Sequence, residues 1–387
     1  MNRSVAPEGN CTYSLWQQTA LITSTLIGVG VLTLPRTATS VLYEAGWISP
    51  LLGSLPAFFA IWMIARLSHR FPGMTFVQYS PIVFGSSARP RLGRWISFPL
   101  VLVFLLIVYV TTAITSRIFG EVVVTAVLLD TPLEVIIISM FVLAFLLCQH
   151  DEEVVVRVNE LLLPLIVFPV LFIAIVSFQK AEWNNLLPLL RTPVHSIVKG
   201  ALEAGYSYQG YEIMLIFYAF AQQNSNKVKA GMFGIGIAVV VYTLIVVVGI
   251  SVFGYEELQK VTWPTLELVK TTKVPGLILE RLESAFLAVW VAAVFTTVAN
   301  VYYAFILGLR QLLGRGVAFQ RVSSGVLLIP LFFIALWPQN IVEIFTFANY
   351  MSSFGMIVAL GIPILHWIVL VVRGMRREPP KGGNLHG

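Results

Sequence analysis

The sequence contains few charged residues and few cysteines for its length. Asp, Glu, Lys and Arg make up 11% of its 387 residues and apolar residues make up 57%, whereas soluble domains contain about 25% charged and about 45–50% apolar residues. A soluble core does not absorb so much apolar surface, so the composition excludes a soluble globular protein and predicts an integral membrane protein. The two cysteines, Cys11 and Cys148, lie far apart, which excludes a disulfide framework or a thiolate metal cluster.

Sequence motifs for catalysis are also missing. The five histidines fall in loops or at the ends of apolar segments, without the spacing of metal ligands. No phosphate-binding glycine loop followed by a lysine occurs in the sequence. We therefore expect no enzyme activity, no metal site, no cofactor and no ATP-driven transport. The net charge of +6 is explained by basic residues beside membrane segments rather than by binding of nucleic acid.

Long stretches without acidic or basic residues dominate the sequence. A membrane-spanning helix needs roughly 20 apolar residues, with a range of about 17–25. Ten candidate segments lie between Glu8 and Arg36, Glu44 and Arg66, Arg94 and about Leu128, Glu134 and Asp151, Glu160 and Lys180, Ile197 and Ala221, Lys229 and Glu256, Glu283 and Arg310, Arg321 and Glu343, and Glu343 and Arg373.

Basic residues concentrate on one side of these segments. They occupy the loops after segments two, six and eight and the C-terminal tail, and comprise Arg66, Arg70, Arg89, Arg91, Arg94, Lys227, Lys229, Arg310, Arg315, Arg321, Arg373, Arg376, Arg377 and Lys381. By the positive-inside rule, this distribution predicts that both termini are cytoplasmic.

Two of the ten segments are interrupted. Segment one contains Gly28 and Gly30, and segment six contains residues 205–212, which are rich in glycine and tyrosine. Lipid offers no hydrogen-bond partner to backbone N–H and C=O groups. A membrane helix is therefore interrupted only where protein or a cavity replaces the lost hydrogen bonds. Broken segments one and six each begin a five-helix half, and the odd number of helices per half inverts the second half. The sequence predicts an all-α fold of ten transmembrane helices in a five-plus-five inverted repeat, the LeuT-like fold of the amino acid–polyamine–organocation superfamily.

This organisation predicts one membrane domain and a short tail. Residues 1–373 form a single permease-like domain, with repeat one at about 12–180 and repeat two at about 195–373. Residues 374–387 form a cytoplasmic tail. Binding sites in such folds lie near the bilayer midplane, between the broken helices.

Candidate ligand-binding residues surround the two breaks. The N-terminus of a half-helix offers free N–H groups that suit a carboxylate, and aromatic and aliphatic walls suit the rest of an amino acid. Taken alone, the glycines are explained equally well by close helix packing, and the tyrosines by a position at the membrane interface. The predicted ligand-binding residues are Thr25, Gly28, Gly30, Tyr109, Tyr206, Tyr208, Gln209, Gly210 and Phe354.

Ionisable residues inside membrane segments indicate function by default. Glu212 can pair with a ligand ammonium, bind a proton or be neutralised by a structural partner. Arg117 is the candidate partner, although Glu121 lies four residues further along the same helix. A polar cluster on segment eight would line an ion or ligand site or form hydrogen bonds between helices. It consists of Thr296, Thr297 and Asn300.

Several stretches of the sequence resemble the B subunits of bacterial endospore germinant receptors, the GerAB-type spore germination permeases. They are residues 28–36, 210–215, 263–266, 280–284 with Trp290, 295–297 and 336–338. The first stretch recurs across amino-acid permeases. The spaced series of Trp263-Pro264-Thr265, residues 280–283 and Trp290 is much more specific to the germination permeases.

The resemblance implies a protein of the inner spore membrane that senses a small nutrient, often an L-amino acid. It implies partnership with a polytopic A subunit and a lipoprotein C subunit to start germination. It also favours a structural or coupling role for Glu280, Arg281 and Glu283, whereas a solvated helix end would hold pairs that contribute only about 0–1 kcal/mol. The alternative function is a proton- or cation-coupled amino-acid transporter with the same motifs. A purely structural scaffold would leave both breaks unexplained.

Overall fold

The regular structure of this chain is helical. A computed structural model describes residues 13–85, 90–188, 192–222, 225–272 and 282–374. The first α-helices of these residues are α1 Leu15–Leu26, α2 Gly30–Leu42, α3 Ile48–Arg70, α4 Phe76–Phe84, α5 Pro90–Ala126, α6 Leu133–Cys148 and α7 Glu152–Ser177. They are followed by α8 Val194–Gly205, α9 Met214–Phe217, α10 Lys227–Lys260, α11 Pro264–Thr271, α12 Leu282–Leu312, α13 Val317–Val326, α14 Leu328–Leu336 and α15 Ile341–Val372.

Seven helical stretches in the described ranges are long and apolar enough to cross a membrane. They are Gly30–Arg70, Arg91–Ala126, Glu152–Lys180, Lys227–Lys260, Glu283–Leu312, Val317–Leu336 and Ile341–Val372. Two shorter apolar helices, Leu133–Cys148 and Tyr211–Phe220, accompany them. The prediction of an all-α integral membrane protein is confirmed. The count of ten spans stays a prediction, because two of the predicted segments are divided into shorter helices.

Several helix boundaries differ from the predicted segment boundaries where an acidic residue was taken as an end. Helix α7 begins at Glu152, ahead of Glu160, and α15 contains Glu343 near its start. Helix α6 contains Glu134 in its first turn. Carboxylates are stabilised at helix N-termini by the unpaired N–H groups there. Acidic residues therefore sit inside these helices rather than outside them.

Both predicted interruptions are present. Helix α1 ends at Leu26, and α2 begins at Gly30. Helix α8 ends at Gly205 and is followed by short 3-10 turns at Tyr206–Tyr208 and Tyr211–Ile213 before α9 begins. We call these the first break (residues 27–29) and the second break (residues 206–213).

The packing of the helices brings the two breaks together. Helix α10 packs along both α1 and α2, and α1 also packs against α7 and α12. Helix α8 packs against α2 and α3. Gly53 on α3 and Gly205 on α8 allow this last approach, since a Cβ at Gly53 would lie 2.8 Å from the Gly205 nitrogen. The breaks therefore lie side by side in the interior of the helix assembly.

The start of α1 is fastened to the segment that follows α9. Tyr13 pairs with Ala221 in a parallel bridge. In this bridge the Tyr13 N–H donates to the Phe220 carbonyl at 3.1 Å, and the Gln222 N–H donates to the Tyr13 carbonyl at 3.2 Å. The Gln18 amide adds a hydrogen bond of 3.0 Å to Ser225. These contacts close the side of the protein on which α1 begins. The predicted tail beyond Gly374 lies outside the described residues.

Candidate functional site

The backbone carbonyl groups freed by the first break are satisfied by side chains of α10 and α12. In a helix the last four carbonyl groups have no partner within the helix, and in a membrane protein each needs one from elsewhere. The donor–acceptor pairs are Tyr242 Oη to the Leu26 carbonyl (2.5 Å), Thr296 Oγ1 to that of Ser24 (3.1 Å), Thr297 Oγ1 to that of Thr25 (3.0 Å) and Trp290 Nε1 to that of Gly28 (3.1 Å). The acceptors at the end of α1 are therefore occupied by protein.

The N–H groups at the start of α2 are not occupied in this way. The Leu32 N–H donates to the Val29 carbonyl at 3.0 Å, but no described residue accepts from the N–H groups of Val29 or Gly30. Both residues line a cavity. The N-terminus of α2, the positive end of its dipole, thus borders that cavity, an arrangement that favours an anion.

The second break is closed by its own carboxylate. Gly210 has φ +122°, a conformation that residues with a side chain rarely adopt. Its N–H donates to Glu212 Oε2 at 2.7 Å, and the Glu212 side chain is buried. Glu212 therefore occupies the donor that the second break would otherwise offer to a ligand. Of the two breaks, the first offers open N–H groups.

The two breaks touch each other through their glycines. A Cβ at Gly30 would lie 3.2 Å from Ser207 Cβ and 2.8 Å from the Tyr242 hydroxyl. A Cβ at Gly210 would lie 3.0 Å from Thr25 Cγ2. Close approach of the backbones therefore depends on glycine at both places. The packing explanation and the site explanation of these glycines are compatible, since the packing shapes the site.

A cavity of about 550 Å³ lies at this junction, within the range of about 300–1,000 Å³ common for small-molecule sites. Its walls come from α1–α2, α5, the second break with the end of α8, α12 and α15. The lining residues are Thr25, Leu26, Val29, Gly30, Thr33, Arg36, Thr37, Ser40, Thr111, Ile114, Thr115, Ile118, Glu203, Tyr206, Ser207, Gln209, Gly210, Thr297, Val301, Phe345, Ala348, Asn349, Met351, Ser352 and Ser353. Eleven of these 25 residues carry a hydroxyl group, and two have charged side chains.

Five of the nine predicted ligand-binding residues line the cavity. They are Thr25, Gly30, Tyr206, Gln209 and Gly210. The Tyr206 hydroxyl accepts a hydrogen bond of 2.9 Å from Ser353, and the Gln209 amide donates to the Ser352 carbonyl. These two contacts join the second break to α15. Gly28 lies at the first break without lining the cavity, since Thr297 covers it.

Three more of the predicted ligand-binding residues do not line this cavity. Tyr208 is fully buried, and its hydroxyl donates to the Pro50 carbonyl on α3 at 2.9 Å. The Tyr109 hydroxyl donates to the Leu327 carbonyl at 2.5 Å, and its ring packs on Phe305. Phe354 is 48% exposed on α15 and does not line the cavity. The two tyrosines therefore hold helices together, and Phe354 faces outward.

Of the two partners considered for Arg117, the structure pairs it with Glu121 rather than with Glu212. Arg117 on α5 pairs with Glu121 at 3.5 Å, one turn along the same helix. Among the described residues, no cation pairs with Glu212, whose carboxylate is held by the Gly210 N–H. In this arrangement Arg117 therefore forms its ion pair within α5.

The polar cluster on α12 forms hydrogen bonds between helices. Thr296 and Thr297 bond to α1 carbonyl groups, and Thr297 also lines the cavity. Asn300 donates to Thr25 Oγ1 at 2.8 Å and to Asn159 Oδ1 on α7 at 2.8 Å. Of the predicted coupling residues near the start of α12, Glu283 is partly exposed, and Glu280 and Arg281 lie outside the described residues.

Sequence reasoning missed several residues that the fold brings to the site. Arg36 and Glu203 line the cavity, and Asn159 joins the network beside Thr25. Glu203 lies inside predicted segment six, so the rule that flags ionisable residues within spans would have found it. Arg36 was taken only as the end of segment one. No sequence signal singled out Asn159, since one amide in an apolar helix has many structural explanations.

Comparison with known proteins gives consistent relatives. The sequence profile described as "Spore germination protein" matches residues 12–344. Spore germination protein YndE of Bacillus subtilis (strain 168) is 30% identical over 367 residues, which cover 94% of this chain and 97% of that protein. Spore germination protein GerLB of Bacillus cereus is 28% identical over 371 residues, which cover 94% of each chain.

A solved structure shares the fold. A mutant of the Eremococcus coleocola manganese transporter superposes with a TM-score of 0.59 at 14% identity, covering 97% of this chain and 87% of that one. At this identity the likeness shows the fold alone, and the fold is LeuT-like. Together with the family profile, it indicates a membrane protein with a permease-like fold. The chain belongs to the spore germination protein family.

Proposed function

We propose that this chain is the nutrient-sensing B subunit of a spore germinant receptor, and that its ligand is a small L-amino acid. The observation that carries the proposal is the N-terminus of α2, which borders the central cavity at Gly30 and has no described acceptor for the N–H groups of Val29 and Gly30. A carboxylate is the group that best satisfies such a helix end. Membership of the spore germination protein family supports germination as the process.

The cavity lining suggests how an amino acid would lie. The carboxylate takes the N–H groups of Val29 and Gly30, and the hydroxyl groups of Thr25 and Thr297 flank it. The apolar part of the ligand lies against α5, where the cavity is lined by Ile114 and Ile118 among threonines. The proposed midplane site thus combines both breaks with α5, α12 and α15. These helices are the third, eighth and tenth of the ten predicted segments.

Sensing requires that the ligand prefer one of two conformations. A ligand shifts such an equilibrium only through its different affinity for the two states. In this structure the cavity lies on the α2 side of the breaks, and the contacts of Tyr13 close the α1 side. Ligand binding would change the balance between this packing and another, and the partner subunits would respond to the change.

The assembly and its location follow from the resemblance to germinant receptors. The partners are a polytopic A subunit in the same membrane and a lipoprotein C subunit. The membrane is the inner membrane of the endospore, with both termini on the spore-core side. Co-expression of the three subunits with a tag on this chain tests the assembly, and recovery of this chain without A or C would contradict it.

Binding and uptake of radiolabelled L-amino acids test the function. The full chain is purified in detergent for binding and reconstituted in liposomes for uptake. Saturable binding without accumulation supports a sensor, whereas accumulation driven by a proton or sodium gradient supports the alternative, a coupled amino-acid transporter. Absence of binding for every L-amino acid contradicts the proposed ligand class.

A matched pair of glycine variants places the binding within the cavity. Gly30→Ala puts a methyl group 2.8 Å from the Tyr242 hydroxyl, whereas Gly236→Ala meets no atom within 4 Å. We expect Gly30→Ala to abolish binding and Gly236→Ala to leave it unchanged. Equal binding by the two variants would contradict the proposed site.

A further inference from the structure

The two charged side chains of the cavity belong to the neighbouring helices α2 and α8. Arg36 is in the second turn of α2, about 9 Å along the helix from Gly30 at 1.5 Å per residue. Glu203 is in the last turn of α8, the helix that packs against α2. Ser40 lines the same part of the cavity and is exposed. An entering ligand therefore passes Arg36 and Glu203 before it reaches the N–H groups of the first break.

Neither charge has a strong partner among the described residues. The Arg36 guanidinium lies over the ring of Phe345, 5.6 Å from its centre, and no ion pair joins it to a described carboxylate. Glu203 pairs with Lys199 at 3.9 Å, but the Lys199 side chain is 68% exposed. Exposed pairs of this kind are largely screened by water. Both charges therefore remain available to a ligand in the cavity.

We propose that Arg36 and Glu203 together select ligands without net charge. A ligand with a net charge is attracted by one of these residues and repelled by the other, so the two interaction energies cancel. The free energy of its hydration is still lost when it enters the cavity. A zwitterion, with one positive and one negative group, interacts favourably with both. The inference deepens the proposed function and rests on it for the entry of an amino acid. It assigns as ligands L-amino acids with uncharged side chains.

The charge balance at this part of the cavity can be measured without any ligand. A Ser40→Cys variant, in a background in which Cys11 and Cys148 are replaced by Ala, places one thiol beside Arg36 and Glu203. The rates of its modification by a cationic and by an anionic methanethiosulfonate reagent report the local potential, because charge changes in a cavity alter encounter rates.

The expected effects have opposite signs. Glu203→Gln should raise the ratio of anionic to cationic modification rates by about 10-fold, and Arg36→Gln should lower it by about 10-fold. The double variant should return to the ratio of the parent. Glu257→Gln is the matched control, because Glu257 also pairs with a neighbouring lysine, Lys260, but does not line the cavity. It should leave the ratio unchanged.

Ligand selectivity provides the second measurement. Binding of L-alanine, L-lysine and L-glutamate is compared in the same variants. Glu203→Gln should gain binding of glutamate, and Arg36→Gln should gain binding of lysine, each by about 10-fold relative to alanine. Arg36→Lys, which keeps the charge, should keep the selectivity of the parent.

Failure of this inference is distinguishable from failure of the proposed function. A charge beside the thiol is expected to change the rate ratio by much more than about 2-fold. If both single variants stay within about 2-fold of the parent, the proposal that Arg36 and Glu203 select ligands by charge is overturned. If no amino acid binds to the parent, the proposed function fails, and the modification rates still decide whether the two charges balance. If Arg36→Gln does not fold, Glu203→Gln alone tests the selection by charge. Glu203 is part-exposed, and its described ion-pair partner, Lys199, is exposed.

Discussion

Thr265 on α11 donates a hydrogen bond of 2.6 Å to the backbone carbonyl of Val31 on α2. In a regular helix this carbonyl would accept from the N–H of residue 35, but residue 35 is proline and has no N–H. Thr265 thus supplies the donor that Pro35 lacks. Two stretches far apart in the sequence, at residues 28–36 and 263–266, are joined by this bond.

Replacement of Thr265 by valine tests the compensation. Thr265→Val keeps the shape of the side chain and leaves a buried carbonyl without a donor, so we expect a loss of about 1–3 kcal/mol in unfolding free energy. Thermal or denaturant unfolding in detergent measures it. In a Pro35→Ala background, where residue 35 regains an N–H, the same substitution should cost clearly less. An equal cost in both backgrounds would show that Thr265 acts through packing alone.

Asn159 on α7 and Asn300 on α12 exchange two hydrogen bonds, of 2.7 and 2.8 Å, and both side chains are fully buried. Ser24 and Thr25 of α1 complete this network. Either single substitution by leucine removes both mutual hydrogen bonds from the opposite buried amide, at a cost of about 1–3 kcal/mol. Replacement of both should cost less than the sum of the single effects. Additive costs in a double-mutant cycle would contradict a coupled pair.

The breaks were predictable from the sequence, whereas the orientations of the side chains around them were not. Two glycines inside an apolar stretch identify a broken membrane helix, because few other residues allow one. The choice between Arg117 and the Gly210 N–H as the partner of Glu212 depends on how the helices rotate. Local sequence carries no information about that rotation. For the same reason Tyr208 was predicted to line the cavity, as its neighbours Ser207 and Gln209 do, although its hydroxyl bonds to Pro50 on α3.

Gly28 is covered by the side chain of Thr297, and a methyl group there would clash with the Thr297 hydroxyl and lie 3.1 Å from its Cβ. We expect Gly28→Ala to push α12 away from the first break and to abolish the nutrient response while the protein remains in the membrane. Spores that carry the variant in the complete receptor provide the measurement. Thr297→Ala removes the nearest atom of the clash, so the double variant should respond more than Gly28→Ala alone. A normal response of Gly28→Ala spores would refute the role of this contact.

Gly210 combines an unusual backbone conformation with a close contact, since its φ is +122° and a Cβ would lie 3.0 Å from Thr25 Cγ2. Gly210→Ala should therefore lower the unfolding free energy by about 2–3 kcal/mol. Gly73→Ala is the matched control, because Gly73 has φ +73° but open space around its Cβ position, and backbone strain alone costs about 1–2 kcal/mol there. Only Gly210→Ala should also weaken binding of radiolabelled amino acids, because the methyl group displaces Thr25 from the cavity wall. Equal losses of stability in the two variants, with binding intact in both, would mean that Gly210 serves the turn of the chain and not the contact between the breaks.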